Sequence, residues 1–160
     1  MYIFLNKLLG PYFDFLVLTN DEYWQRSGKI QRKNAIKQEY FHHPDALRIQ
    51  DSIIGLIYDC FNKSHPSFNY YGPTEYRNDN LNELLNHLSK WITRNRSCET
   101  KEEFLGLLTN YFIGEIETEI GSWDNQWKTV RDELNLIISE LYNRGKIAKQ
   151  KGKTLLVLGV

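Results

Sequence analysis

Catalysis needs a nucleophile, an acid–base pair or a ligand set, so the histidines and cysteines come first. The chain contains four histidines, His42, His43, His65 and His87, and two cysteines, Cys60 and Cys98. Glu39-x-x-His42 has the spacing used in carboxylate di-iron bundles. Such a site takes two of these pairs and two further glutamates, and no second Glu-x-x-His occurs. His42 and His43 are adjacent, so they point apart on a helix or a strand. Glu83 and His87 lie one helical turn apart and read as a surface pair. A Cys–His nucleophile needs an accessible thiolate beside an oriented base. Cys60 falls among apolar residues and reads as a core thiol. Cys98 sits in a short polar connection. His65 follows Cys60 closely, but no third group is placed to orient it. Neither cysteine belongs to a C-x-x-C pair, so zinc and thioredoxin-like chemistry lack their spacing. A single Cys60–Cys98 bond stays open. Phosphate-binding loops, dinucleotide-binding glycines, a G-x-S-x-G elbow and H-E-x-x-H are all missing. The expectation is a chain with no catalytic residues, no metal and no cofactor.

Charge placement says more. Lys+Arg and Asp+Glu both number 20 in 160 residues, so the net charge is zero. Bulk charge therefore drives neither nucleic-acid coating nor nucleic-acid mimicry. The charges are nonetheless segregated. Glu99, Glu102, Glu103, Glu115, Glu117, Glu119 and Asp124 face only Lys101 across their stretch. Arg26, Lys29, Arg32, Lys33, Lys37 and Arg48 make a basic segment. Arg144, Lys146, Lys149, Lys151 and Lys153 make a basic tail with no acid from 141 onward. Aromatic residues reach 14% of the chain. Rings first of all build cores, and at surfaces Tyr and Trp are enriched in protein interfaces.

The elements that must carry these side chains are mostly helical. The length fits one domain spanning 1–160. The N-terminal run from Met1 to Leu18 is apolar but interrupted by Asn6, Lys7, Gly10-Pro11 and Asp14. It has neither the length of a membrane span nor the basic start and cleavage site of a signal peptide. It reads as two short helices or partly as strand, and the expected location is the cytoplasm. Pro44 and Asp45 suit a helix start. Leu47, Ile49, Ile53, Ile54, Leu56, Ile57, Cys60 and Phe61 then fill a broad arc, which predicts one central helix. Residues 64–78 hold two prolines and a glycine with Phe68, Tyr70, Tyr71 and Tyr76, and predict a long aromatic loop. Asp79 is placed to cap the next helix, whose stripe is Leu81, Leu84, Leu85, Leu88, Trp91 and Ile92. Thr100-Lys-Glu-Glu103 has the capping-box pattern and opens a helix carrying Phe104, Leu105, Leu108, Tyr111 and Phe112. Glu115 to Ile120 alternates as a strand does, yet helix is slightly favoured. Ser122 caps the last long helix, with Trp123, Trp127, Val130, Leu134, Ile137, Ile138 and Leu141 on one stripe. Gly145 is placed to end it, and residues 146–158 read as a β-hairpin. The expected fold is mainly α: one bundle of about five or six helices with a small C-terminal hairpin.

Two functions fit this pattern. The missing catalytic set, the surplus of rings and the acidic stretch suit a protein-binding module. In that reading Glu99, Glu102, Glu103, Glu115, Glu117 and Glu119 steer a basic partner, and Tyr70, Tyr71 and Tyr76 anchor it. In size, solubility and charge design the chain resembles bacterial immunity proteins, including those paired with contact-dependent inhibition toxins. The resemblance rests on no sequence motif. It implies a small domain that covers a cognate, nuclease-type toxin. The alternative rests on Leu134 to Leu158, where a helix, Gly145 and a basic hairpin resemble the end of a winged-helix domain. That resemblance implies nucleic-acid binding through Arg144, Lys146, Lys149, Lys151 and Lys153. The helix from about 123 to 144 is long for a recognition helix. No membrane partner is expected.

Overall fold

The computed structural model describes residues 10–18, 43–110 and 112–159. Strand β1 (Tyr12–Leu18) is followed by β2 (Leu47–Gln50), helices α1 (Asp51–Leu56) and α2 (Tyr58–Ser64), and strand β3 (Pro73–Tyr76). Then come α3 (Asn78–Ser97), α4 (Lys101–Leu107), α5 (Ile113–Ile120), α6 (Trp123–Gln150) and β4 (Thr154–Leu158). The strands form one antiparallel sheet in the order β2-β1-β4-β3. The fold is therefore mixed α/β with a helical majority, and the expected helical bundle with a terminal hairpin is wrong.

The correction centres on β4. Its five residues, Thr-Leu-Leu-Val-Leu, are all buried, as in a strand with neighbours on both sides and matter on both faces. Val157 registers with Phe15 on β1 and with Thr74 on β3. The segment expected as the first hairpin strand is instead the last turns of α6. Gly145 does not stop that helix. It is buried, and a Cβ there would stand 2.8 Å from Leu85 Cδ2, so glycine lets α6 press onto α3. The sharp turn comes later, at Gly152, whose φ of 59° is open to glycine at no steric cost.

The two sheet faces differ. Phe13, Phe15, Tyr76, Leu155 and Val157 join the main core with the inner stripes of α3 and α6. Leu16, Leu18, Leu156 and Leu158 form a second cluster on the other face, with Ala46 against it. On that face Asp14 is 1% exposed and opposes Arg48 across the β1–β2 ladder. Arg48 Nε donates to Asp14 Oδ1 at 2.9 Å. Buried carboxylates persist where such charge-assisted bonds hold them.

The expected central helix over 47–61 is divided. Residues 47–50 are the edge strand β2, and Ile57 separates α1 from α2. Four strand residues and two short helices can fill the same angular arc as one long helix, so angular placement alone does not distinguish them. The stripes expected on α3 and α6 hold. Leu81, Leu84, Leu85, Leu88, Trp91 and Ile92 are buried on α3, and Trp123 through Leu141 on α6. The capping box at Thr100 is present, with Thr100 Oγ1 accepting from the Glu103 amide at 3.2 Å. That helix ends at Leu107, before Phe112. Residues 113–120 are helical, as favoured. Asp79 lies in the first turn of α3, not at its cap, which is Arg77.

Candidate functional site

The rings of the 64–78 segment divide into core and surface. Tyr76 is fully buried in β3, and its hydroxyl donates to the Phe61 carbonyl at 2.9 Å. It is a core residue, and its expected role as a partner anchor is wrong. Strand pairing explains this: the segment expected to be loop ends in four residues that register against β4. From Tyr76 a chain of ring contacts runs through Phe61, Phe68, Tyr58 and Tyr70. It ends at Tyr71, which is 73% exposed. Among the described residues, Phe13, Phe15, Phe61, Tyr76, Trp91, Phe104, Trp123 and Trp127 are core rings.

Where that chain surfaces, it forms a pocket. Tyr58, Tyr70, Tyr71 and Phe112 surround Gly55, and the cavity measures about 250 Å³. Four elements contribute: α1 gives Gly55, α2 gives Tyr58, the α2–β3 loop gives Tyr70 and Tyr71, and Phe112 precedes α5. Gly55 is required by closeness, because a Cβ there would overlap the Phe112 ring. The Tyr70 hydroxyl donates to the Asp51 carbonyl oxygen at 3.0 Å. Its edge meets Phe13 of β1 at 4.9 Å between ring centres. The Tyr71 amide donates to Asn69 Oδ1 at 3.1 Å. Gly159 lies against the Tyr70 carbonyl with no room for a side chain. The loop is thus tied to α1 and to the end of β4.

The charged groups that act on Tyr70 are acidic. Burial first, then the nearby carboxylates of Asp51 and Glu115, hold the Tyr70 hydroxyl well above its ordinary acidity range. It stays protonated and keeps donating. Burial also raises the Asp51 carboxyl, against its bond from the Ser52 amide. No basic side chain lines the cavity among the described residues.

The acidic residues named from the sequence are not one surface. Helix α5 buries Ile116 and Ile120. At 100° per residue Glu115 and Glu119 lie on one flank of it and Glu117 on the other. A strand would have aligned all three. Glu102 and Glu103 border a separate depression with Arg94, Ser97 and Cys98. Glu103 Oε2 is engaged by the amides of Glu99 at 2.8 Å and Thr100 at 3.2 Å. Lys101 bonds Asp124 and lies beside Glu102. Of the nine residues proposed for partner contact, the structure brings Tyr70 and Tyr71 together in the pocket, with Glu115 in the first turn of the helix that follows Phe112. Asp51, Gly55, Tyr58 and Phe112 join them and were not singled out. Their one visible signal was Gly55, a residue without a side chain inside a strongly apolar run.

The basic tail forms no wing. Arg144, Lys146 and Lys149 are on α6, and Lys151 and Lys153 flank its turn into β4. The Arg144 guanidinium donates to the Asp45 carbonyl at 2.7 Å. Lys146 sits over the Tyr142 ring at 5.7 Å, and with Lys149 borders a groove beside Asn82 and Asn86 of α3. Without a hairpin, the winged-helix resemblance loses the element that carried it. Arg26, Lys29, Arg32, Lys33, Lys37, Glu39 and His42 lie outside the described residues.

The cysteines are free and buried. Burial, reinforced by Asp59 and only partly opposed by Lys63, pushes the Cys60 thiol up to about 12. The thiolate that a nucleophile requires is suppressed at neutral pH. Cys98 lies in the short connection between α3 and α4, as expected, but as the C-cap of α3 it is buried, with Sγ 3.3 Å from the Arg94 carbonyl. Burial raises this thiol too. His65 Nδ1 accepts from the Ser67 amide at 3.1 Å, and its ring packs edge-on with Tyr76. Among the described residues, no three His, Cys, Asp or Glu side chains are grouped to hold a metal ion. No helix among them is long and apolar enough to cross a membrane.

No family model, curated protein or solved structure matches this chain.

Proposed function

We propose that this chain is a protein-binding module that neutralises a basic partner by covering it. In its sharper form the proposal is an immunity protein for a cognate, nuclease-type bacterial toxin. Tyr71 carries the reading. A tyrosine 73% exposed on the rim of a preformed aromatic pocket, with Glu115 in the first turn after the lining Phe112, has the make-up of an interface anchor. Buried aromatic anchors dominate interface energetics, and flanking charges set approach and register. Nuclease domains carry basic surfaces for phosphate, so an acidic aromatic surface suits their occlusion.

The test is capture from the encoding organism's lysate, with and without nuclease treatment, across a salt series. Support requires one stoichiometric protein that survives nuclease treatment and loses its activity when bound. It also requires that Tyr71→Ala protein, folded and with only a small loss of stability, fails to hold it. A bound partner whose activity is untouched would remove the neutralising role. Capture that is indifferent to Tyr71 and Glu115 would remove this siting.

A further inference from the structure

We infer that the pocket of Tyr58, Tyr70, Tyr71 and Phe112 receives one arginine side chain of the partner. This rests on the protein-binding reading and names the chemistry of its anchor.

The ring geometry comes first. Tyr58 and Tyr70 stand 6.0 Å apart at 51°, and Tyr70 and Tyr71 stand 5.3 Å apart at 71°. Inclined rings around a cavity of about 250 Å³ make a cage rather than a stack. Ring faces carry negative potential, and cages of this kind attract cations. An apolar side chain could also fill such a space, so charge must decide. Asp51, whose carbonyl accepts from the Tyr70 hydroxyl, and Glu115, in the first turn after Phe112, put carboxylates on two of the elements that build the cage, and no lining residue among those described is basic. Two nearby carboxylates with no lining base favour a positively charged occupant over a neutral one. The N-terminal end of α5 opposes a cation through its free amides, and Glu115 in the first turn offsets that field.

Arginine fits better than lysine. Its guanidinium is flat, stacks on rings, is weakly hydrated and stays charged against apolar walls. The cage is also preformed. The bonds Tyr70 Oη to the Asp51 carbonyl, Tyr71 N to Asn69 Oδ1, and Gly72 N to the Asn69 carbonyl at 3.3 Å hold the loop. Little ordering cost remains for binding.

The test uses small probes and needs no partner. Isotope-labelled protein is titrated with N-acetyl-arginine amide and, separately, with its neutral isostere N-acetyl-citrulline amide. The arginine probe is expected to move the amide signals of Gly55, Tyr71 and Phe112 saturably, and the citrulline probe to leave them in place. Tyr71→Ala and Glu115→Gln should each weaken arginine binding about fivefold or more. Equal binding of both probes, or no response to arginine, would overturn the assignment. The two claims fail separately. If arginine binds the cage but Tyr71→Ala still captures and inhibits the partner, the siting of partner binding falls. If capture depends on Tyr71 but arginine does not bind, the arginine assignment falls and the binding reading stands.

Discussion

Tyr71 and Tyr76 are five positions apart in one segment, yet the structure predicts opposite outcomes when each is cut to alanine. Tyr76 is 0% exposed and Tyr71 is 73% exposed. A fully buried aromatic removes roughly 200 Å² from water, worth about 5 kcal/mol at about 25 cal/mol per Å². Tyr76→Ala should therefore cost about 3–5 kcal/mol, the range of large-to-small changes in cores. For a chain of this size that lowers Tm by roughly 10 °C. Tyr71 buries about a quarter as much, so Tyr71→Ala should cost about 1 kcal/mol. Tyr76→Phe isolates the hydroxyl. The Phe61 carbonyl it serves also accepts from the His65 amide at 3.1 Å and Ser64 Oγ at 3.0 Å. No orphan acceptor remains, so this change should cost only about 1 kcal/mol. Thermal unfolding and urea titration of the three variants measure all of this. Equal destabilisation by Tyr71→Ala and Tyr76→Ala would refute the division of these rings into core and surface.

Three further predictions follow from buried and capping groups. Thr100→Ala breaks the capping box and should cost about 1 kcal/mol in urea unfolding; no change would mean that the pair contributes nothing in this setting. Arg48→Met leaves Asp14 without its 2.9 Å partner in the sheet and should destabilise by about 1–3 kcal/mol. Pairing it with Asp14→Asn should recover part of that loss, and strict additivity of the two would contradict a direct interaction. The third concerns alkali. Cys60 is raised to about 12, and Tyr70 and Tyr76 are raised as well, all mainly by burial. The unfolded chain loses these protons first, so their contribution is complete below about pH 9 and is lost as pH rises toward the folded values. The urea midpoint should fall steeply from about pH 9 upward. A flat profile to about pH 11 would contradict the burial of these groups.

What was legible in the sequence was local. The stripes on α3 and α6 repeat within a turn or two, and Thr100 with Glu103 closes its box within one. The sheet was not legible, because its partners are far apart. β4 reads as a strand by composition, but its neighbours are Phe15 and Tyr76, which no local pattern connects to Leu155 and Val157. The nearest apparent strand in sequence, 146–150, is helix. Gly145 is ambiguous in sequence because glycine has two uses, ending helices and allowing them to touch. The site was half legible. Tyr70, Tyr71 and Glu115 were named from exposed-loop and charge arguments. Tyr58, Gly55 and Phe112 belong to three elements that meet only in space. Tyr76 was misplaced because a buried strand can be written in turn-rich surroundings.

The central claim is that the acidic aromatic pocket binds and neutralises a basic protein. The most direct measurement titrates the captured partner's own activity with wild-type protein and with a Tyr71→Ala/Glu115→Gln variant whose thermal unfolding falls by no more than the small loss expected for Tyr71→Ala. The account predicts stoichiometric inhibition by wild type, and inhibition by the variant weakened at least tenfold, about 1.4 kcal/mol. Equal inhibition by both proteins, or binding without inhibition, would contradict it.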